Sequence, residues 1–256
     1  MSTSTEPGVE GAAEAPVLVV APSLGTRADM WSPQLARFTA QFRVVLVELR
    51  GHAGADVPPG PYDLGDLGRD VLAQLDDRGV ERFSYCGISL GGMVGMWIAA
   101  HTPNRVDRLA LCCTSAYLPP AEGWLDRAAT VRRSGMSAVA DRVVDRWFTS
   151  DFATASPDVV TWARDMLLTI PPEGYAGCCE ALATMDLRPM LSVIAAPTLV
   201  LAGERDAATP LPHAEVIVGG IPHARLAVVP DAGHLATAQA PALCTQLLLD
   251  HLGGTS

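Results

Sequence analysis

A short apolar run, Phe83-Ser84-Tyr85-Cys86, enters Gly87-Ile88-Ser89-Leu90-Gly91-Gly92-Met93 and leaves as a helix through about His101. No other stretch limits the fold so tightly. A G-x-S-x-G segment between a buried strand and a helix holds its serine at a strained backbone geometry, which tolerates only small neighbours. Gly87 and Gly91 let the incoming strand and the outgoing helix approach closely, and Gly92 relieves crowding further. Ser89 is then expected at the C-terminal edge of a sheet and the N-terminus of a helix. Backbone N–H groups and the positive end of the helix dipole can meet an oxyanion there. The motif alone arises by chance in about one chain in ten of this length. The rest of the chain has to supply its partners.

Taken in order, Val17–Ala21 is a continuous apolar run of the kind a parallel strand buried on both faces requires. Pro22-Ser23-Leu24-Gly25-Thr26 follows as a loop, and Ser32-Pro33 reads as an N-cap with proline at the first helical position. Residues 44–48 read as the next strand and 64–79 as a helix. Beyond the elbow, residues 108–113, 197–202 and 225–229 read as strands, Thr209-Pro210 opens a helix, and a last helix starts at Pro241. Alternating strands and helices predict an α/β domain, a mostly parallel sheet with helices on both faces. The stretch 117–188 breaks the alternation with three or four amphipathic helices and no convincing strand. It is expected as a helical cap inserted after the strand that follows the nucleophile helix, above Ser89. The organisation is therefore residues 1–15 as a flexible N-terminal tail, 16–116 and 189–256 as the core, and 117–188 as the cap.

A serine hydroxyl needs a base, and the base needs an orienting acid. On this kind of elbow the acid comes next in the chain and the histidine last. Residues 197–202 run into Gly203-Glu204-Arg205-Asp206, and 225–229 run into Pro230-Asp231-Ala232-Gly233-His234. Both loops lie at the sheet edge that carries Ser89, so Ser89, Asp206 and His234 are the expected catalytic set. Glu204 and Asp231 compete for the acid position but sit closer to their strand ends, where a carboxylate caps a turn. His52 is the one serious competitor for the base; chain order favours His234 and leaves His52 as a loop anchor. The oxyanion hole is expected from the backbone N–H of Leu90, just after the nucleophile, and of Leu24 in the loop after the first strand.

Charge and cysteine usage narrow the partners. The formal charge of −10 argues against nucleic acid and anionic membrane surfaces, both of which demand basic patches. A small anionic substrate stays possible where local cations meet it, because fields are screened over about 8 Å at physiological salt. The six cysteines form no C-x-x-C and include two adjacent pairs, a pattern of buried thiols in a reducing compartment rather than of zinc or disulfides. The histidines have no metal-binding spacing, and neither metal nor cofactor is expected. Residues 1–15 lack the basic and apolar regions of a signal peptide, and no apolar run reaches the length of a membrane span. A cytoplasmic protein is expected, with its oligomeric state open.

Several segments together resemble the 3-oxoadipate enol-lactonases, α/β-hydrolase enzymes of the protocatechuate branch of aromatic catabolism. They are Pro22-Ser23-Leu24-Gly25-Thr26 with Met30-Trp31, the elbow, Arg146-Trp147-Phe148-Thr149, Pro171-Pro172-Glu173-Gly174-Tyr175 and Ala232-Gly233-His234-Leu235. The likeness runs from about Val17 to the C-terminus. It departs from the family pattern in lacking a readable β-hairpin before the first parallel strand, in Glu48 where aspartate is usual, and in Ala53 where glycine is common. The resemblance implies an α/β-hydrolase fold and ring opening of the lactone by Ser89 through an acyl-enzyme, with His234 and Asp206 assisting and no cofactor. It also implies a cation for the substrate carboxylate. Arg127, Arg132 and Arg133 beside Trp124 are candidates, with Trp147 as an apolar wall; alternatively these arginines form the solvated face of a cap helix. Another capped esterase, lactonase or carbon–carbon bond hydrolase would share the triad, and so would a ligand sensor on the same fold.

Overall fold

Strands buried on both faces should read as unbroken apolar runs, and the centre of the sheet is built from such runs. The computed structural model describes residues 8–52 and 54–254. Its strands are β1 (Val9–Glu10), β2 (Val17–Ala21), β3 (Arg43–Leu46), β4 (Phe83–Ile88), β5 (Val106–Cys112), β6 (Thr198–Gly203) and β7 (Ala224–Val229). Among the described residues they form one sheet in the order β1-β3-β2-β4-β5-β6-β7. The pairing is parallel except at β1, which runs antiparallel to β3. Every residue of β4 and β6 is buried, which puts the nucleophile strand and the acid strand inside the sheet.

Helices α1 (Ser32–Thr39), α2 (Leu64–Asp76) and α3 (Leu90–His101) follow β2, β3 and β4. Helix α1 begins on Ser32 itself with Pro33 in its first turn, so the expected serine cap is not made. At α2, Asp63 and Asp66 close a reciprocal capping box, each carboxylate accepting the other residue's N–H at 2.7 and 3.1 Å. Five helices fall between β5 and β6: α4 (Ala121–Ser134), α5 (Ala140–Val144), α6 (Ser150–Ala155), α7 (Pro157–Leu168) and α8 (Pro172–Thr184). They are the cap. Its two ends meet where Tyr117 bridges Asp186 and the Leu187 N–H reaches the Ala116 carbonyl at 2.8 Å. Helix α9 (Leu211–Gly220) joins β6 to β7, and α10 (Ala236–Gln239) and α11 (Pro241–Leu252) follow β7. Helix α1 packs on α11 and α2 on α3, so helices cover the sheet on both sides.

The N-terminal tail requires a correction. Val9 and Glu10 pair with Val45 and Val44, Val9 is buried, and the Gly8 carbonyl accepts the Leu46 N–H at 2.7 Å. Two residues are too few to show the alternation that marks a strand in sequence. The remainder of the tail, residues 1–7, and the substituted loop position Ala53 lie outside the described residues. All six cysteines are buried and free. Among the described residues no helix is long and apolar enough to cross a membrane.

Candidate active site

The elbow is fixed by backbone crowding. Ser89 takes φ 54° and ψ −117°, a region unfavourable for any residue with a side chain. A Cβ on Gly87 would stand 2.3 Å from the Gly91 carbonyl oxygen, and one on Gly91 would stand 2.6 Å from the carbonyl oxygens of Ala21 and Pro22. Neither position admits a larger residue without backbone movement. The Ser89 N–H donates to the Cys112 carbonyl at 2.9 Å, and the Thr114 hydroxyl donates to the Ser89 carbonyl at 2.7 Å. The serine is thus held at the end of β4, at the N-terminus of α3.

Asp206 and His234 arrive from the ends of β6 and β7. The His234 Nδ1 stands 2.9 Å from Asp206 Oδ2. Both are almost wholly buried, at 4% and 3% exposure, while Ser89 keeps 8%. Asp206 Oδ1 also accepts the N–H groups of Ala208 and Thr209, and the Thr209 hydroxyl donates to Oδ2 at 2.8 Å. Burial pushes the Asp206 carboxyl up, but His234, followed by the Thr209 donors, outweighs it and holds the group at about 2. An ionised Asp206 accepts the Nδ1 proton and leaves Nε2 as the basic nitrogen. The rival acids have other work. Glu204 accepts the Asp231 N–H at 2.9 Å and ties the two loops together, and Asp231 stays in solvent. Gln239, which the sequence did not single out, buttresses the base loop through the Gly233 N–H, the Asp231 carbonyl and the Thr149 hydroxyl.

Leu90 follows the serine in the chain, and Leu24 lines the same cavity as Ser89. The Gly91 N–H donates to the Pro22 carbonyl at 3.0 Å, which presses the loop after β2 onto the elbow. In that loop the N–H groups of Ser23, Gly25 and Thr26 are all engaged, by Thr26 Oγ1, His52 Nε2 and the Ser23 carbonyl. Among the described residues no protein acceptor meets the N–H of Leu24 or of Leu90. Two backbone donors left over beside a nucleophile are what a tetrahedral oxyanion needs.

Ser89, His234, Leu24 and Thr209 line a cavity of about 60 Å³ beneath residues of the helical stretch, with Trp124, Arg127, Arg146, Trp147 and Tyr175 among its walls. A much larger surface depression, about 1140 Å³ around Glu48, Arg50 and Asp70, touches none of the triad. Of the expected substrate contacts, Trp124, Arg127 and Trp147 are at the cavity; Arg132 and Arg133 are not. Arg132 instead pairs with Glu173 at 2.7 Å and with Glu180, fastening α4 to α8, and Arg133 is exposed. Arg146 is the cation that sequence reasoning missed, although it sits beside Trp147 in a quoted segment. Its guanidinium donates to the Ala207 carbonyl at 2.8 Å. Partial desolvation of its guanidinium, and next the like charge of Arg127, pulls it below the usual arginine range, although the residue as a whole is exposed. Arg127 lies 4.6 Å over the Trp124 ring, and its Nε is buried without a partner. The Tyr175 hydroxyl is likewise buried, with the Arg127 guanidinium as its polar neighbour but no well-formed hydrogen bond between them. Unsatisfied buried donors are costly, so those facing a cavity mark where a polar group of a ligand belongs. Among the described residues no cluster of His, Cys, Asp or Glu is placed to hold a metal ion.

The chain is similar to known proteins in both sequence and fold. A family model described as alpha/beta hydrolase fold matches residues 16–241. 3-Oxoadipate enol-lactonase 2 of Acinetobacter baylyi is 38% identical, over 90% of this chain and 86% of that protein. The solved enol-lactonase from Burkholderia xenovorans superposes with a TM-score of 0.93 at 36% identity, covering 99% of this chain and 100% of that one. A hydrolase of known structure from Pseudomonas aeruginosa matches with a TM-score of 0.93 at 42% identity, covering 96% of this chain and 93% of that chain.

Proposed function

The chain belongs to the α/β-hydrolase family and is a carboxylic-ester hydrolase, and from that premise we propose that it opens 3-oxoadipate enol-lactone to 3-oxoadipate. The observation that carries this substrate is the pair Arg127 and Arg146 on the small cavity beside Ser89, in a chain whose formal charge is −10. Two guanidiniums, one with its Nε unpartnered and a buried tyrosine hydroxyl beside it, suit a compact ligand with a carboxylate, and an enol-lactone has one.

In the proposed reaction Ser89 Oγ attacks the lactone carbonyl carbon while His234 Nε2 takes the hydroxyl proton. The carbonyl electrons move onto oxygen, which is met by the N–H groups of Leu24 and Leu90, each worth about 3 kcal/mol to such an intermediate. The ring C–O bond then breaks. Its electron pair stays on the enol oxygen, which receives the proton from His234 and tautomerises to the ketone. Water, deprotonated by the same imidazole, attacks the acyl-enzyme; the C–Oγ bond breaks, and the second carboxylate leaves with Ser89 restored. Asp206 keeps Nδ1 protonated and balances the imidazolium in both halves. The arginines hold the carboxylate that does not react, which fixes the ring over the serine. A place in aromatic catabolism follows from the substrate.

The test is loss of the lactone's ultraviolet absorbance with wild type and Ser89→Ala. Fast turnover abolished by the substitution supports substrate and nucleophile together. Cleavage of an aryl ester without lactone turnover would retain the triad and remove the lactonase reading, and inertness towards both would favour a sensor.

A further inference from the structure

His52 lies outside the triad, and the reaction above gives it no proton to carry. It is fully buried. Its Nε2 lies 2.9 Å from the Gly25 nitrogen and its Nδ1 lies 3.2 Å from the Arg50 carbonyl oxygen. Those contacts assign the tautomer: Nδ1 carries the hydrogen and donates to Arg50, and Nε2 accepts the Gly25 N–H. Burial holds the imidazole down at about 4, so it stays neutral and accepting at ordinary pH.

What Gly25 adjoins gives this bond its meaning. Each peptide unit is a rigid plane, so the loop can be treated as plates joined at Cα atoms. One plate carries the Ser23 carbonyl and the Leu24 N–H. Its carbonyl accepts from the Thr26 N–H at 3.1 Å and from the Thr26 hydroxyl at 2.9 Å, which turns the Leu24 N–H the opposite way. The next plate carries the Leu24 carbonyl and the Gly25 N–H, and His52 holds it. Gly25 has φ +81°, and a Cβ there would stand 2.5 Å from Leu167 and 3.1 Å from Tyr175. The loop is therefore clamped on both sides of the one N–H left without an acceptor.

We propose that His52 is a positioning residue for the oxyanion hole: by accepting the Gly25 N–H it orients the loop 23–26 so that the Leu24 N–H faces the same point as the Leu90 N–H. The proposal rests on acyl transfer at Ser89, and not on which ester or lactone is the substrate.

His52→Leu and His52→Met remove the acceptor, and His52→Gln returns one where Nε2 stood. The variants are compared with wild type on an aryl ester and on the lactone. Phenylboronic acid, which forms a tetrahedral adduct with the serine, serves as inhibitor. The Leu and Met variants should lose about 10- to 100-fold in kcat, less than complete removal of a donor costs, with KM within about twofold. The boronate Ki should rise by the same factor, and the Gln variant should recover most of both. Should one of the two apolar variants fail to fold, the other against Gln decides. Unchanged kcat and Ki in a folded apolar variant overturns the proposal. Equal losses in the Gln variant with an equal fall in Tm overturn it too, because His52 would then only fill space. Wild type that cleaves the aryl ester but not the lactone removes the lactonase reading and leaves this test intact; wild type whose Ser89 resists a fluorophosphonate removes both.

Discussion

The elbow and the cap hold their functional groups by different physics. At the elbow, main chain crowds main chain: Gly87 meets Gly91, Gly91 meets Ala21 and Pro22, and Ser89 is left in a strained conformation. On α4 the outcome depends on which neighbour a side chain finds. Arg127 and Arg132 are five residues apart, which turns them about 140° from each other around the helix. Arg132 finds Glu173 and Glu180 on α8, and Arg127 faces the cavity over Trp124 with its Nε bare. The first kind of site has almost no freedom to vary. The second can be retuned one residue at a time, and under the proposed function it is where the substrate is selected.

That contrast can be broken by substitution. Its largest expected effect is at the triad, where Asp206→Asn should reduce kcat by about 10³- to 10⁴-fold with little change in KM, read from steady-state kinetics. Next comes Gly91→Ala, which forces a Cβ against two backbone carbonyls and should destabilise the fold by about 3 kcal/mol in urea melts. A fully stable Gly91→Ala enzyme would undo the claim that backbone crowding sets the elbow. On the cap, Arg127→Ala and Arg146→Ala should each raise KM for the lactone about 10-fold, whereas Arg132→Ala should leave KM alone and lower Tm by about 2–4 °C. The reverse pattern would exchange their roles.

The smallest effect sharpens the comparison between two buried carboxyls at strand ends. Asp206 is held at about 2 by His234 and Thr209, whereas burial raises Glu48 to about 7, although it accepts the Ala28 N–H at 2.9 Å. A folded-state value above the unfolded one means that Glu48 contributes stability below about 4.5, lost as pH rises towards 7. Glu48→Gln keeps an acceptor for Ala28 without the charge. It should be about 1 kcal/mol more stable relative to wild type at pH 8 than at pH 5, read from urea midpoints at the two values. Asp206 acts in the opposite sense, its contribution being lost only as pH falls from about 3.8 through 2.

The sequence was legible where local sterics or chain order decide the outcome. Glycines at 87 and 91 have one use in a strand–turn–helix, and an acid and a histidine in the last two strand-end loops have few alternatives. Val9–Glu10 was not legible, because a two-residue strand exists only through its partner β3. Nor were the roles of the cap arginines: 127, 132, 133 and 146 look alike in sequence. Only the tertiary packing of α4 on α8, and of Trp147 on the base loop, separates a tether from a residue on the cavity. His52 was visible as a loop anchor, but what it anchors required the position of Gly25.

The parallel sheet also orders events in time. Ser89 leaves β4, Asp206 leaves β6 and His234 leaves β7, and β6 and β7 join the sheet outside β5, after the whole cap has been made. A chain growing from its N-terminus can therefore shape the nucleophile turn long before its base exists. Until the final strand docks, Ser89 is an ordinary alcohol. Esterase activity appears only with the finished molecule, so a stalled or truncated product should be inert rather than indiscriminate.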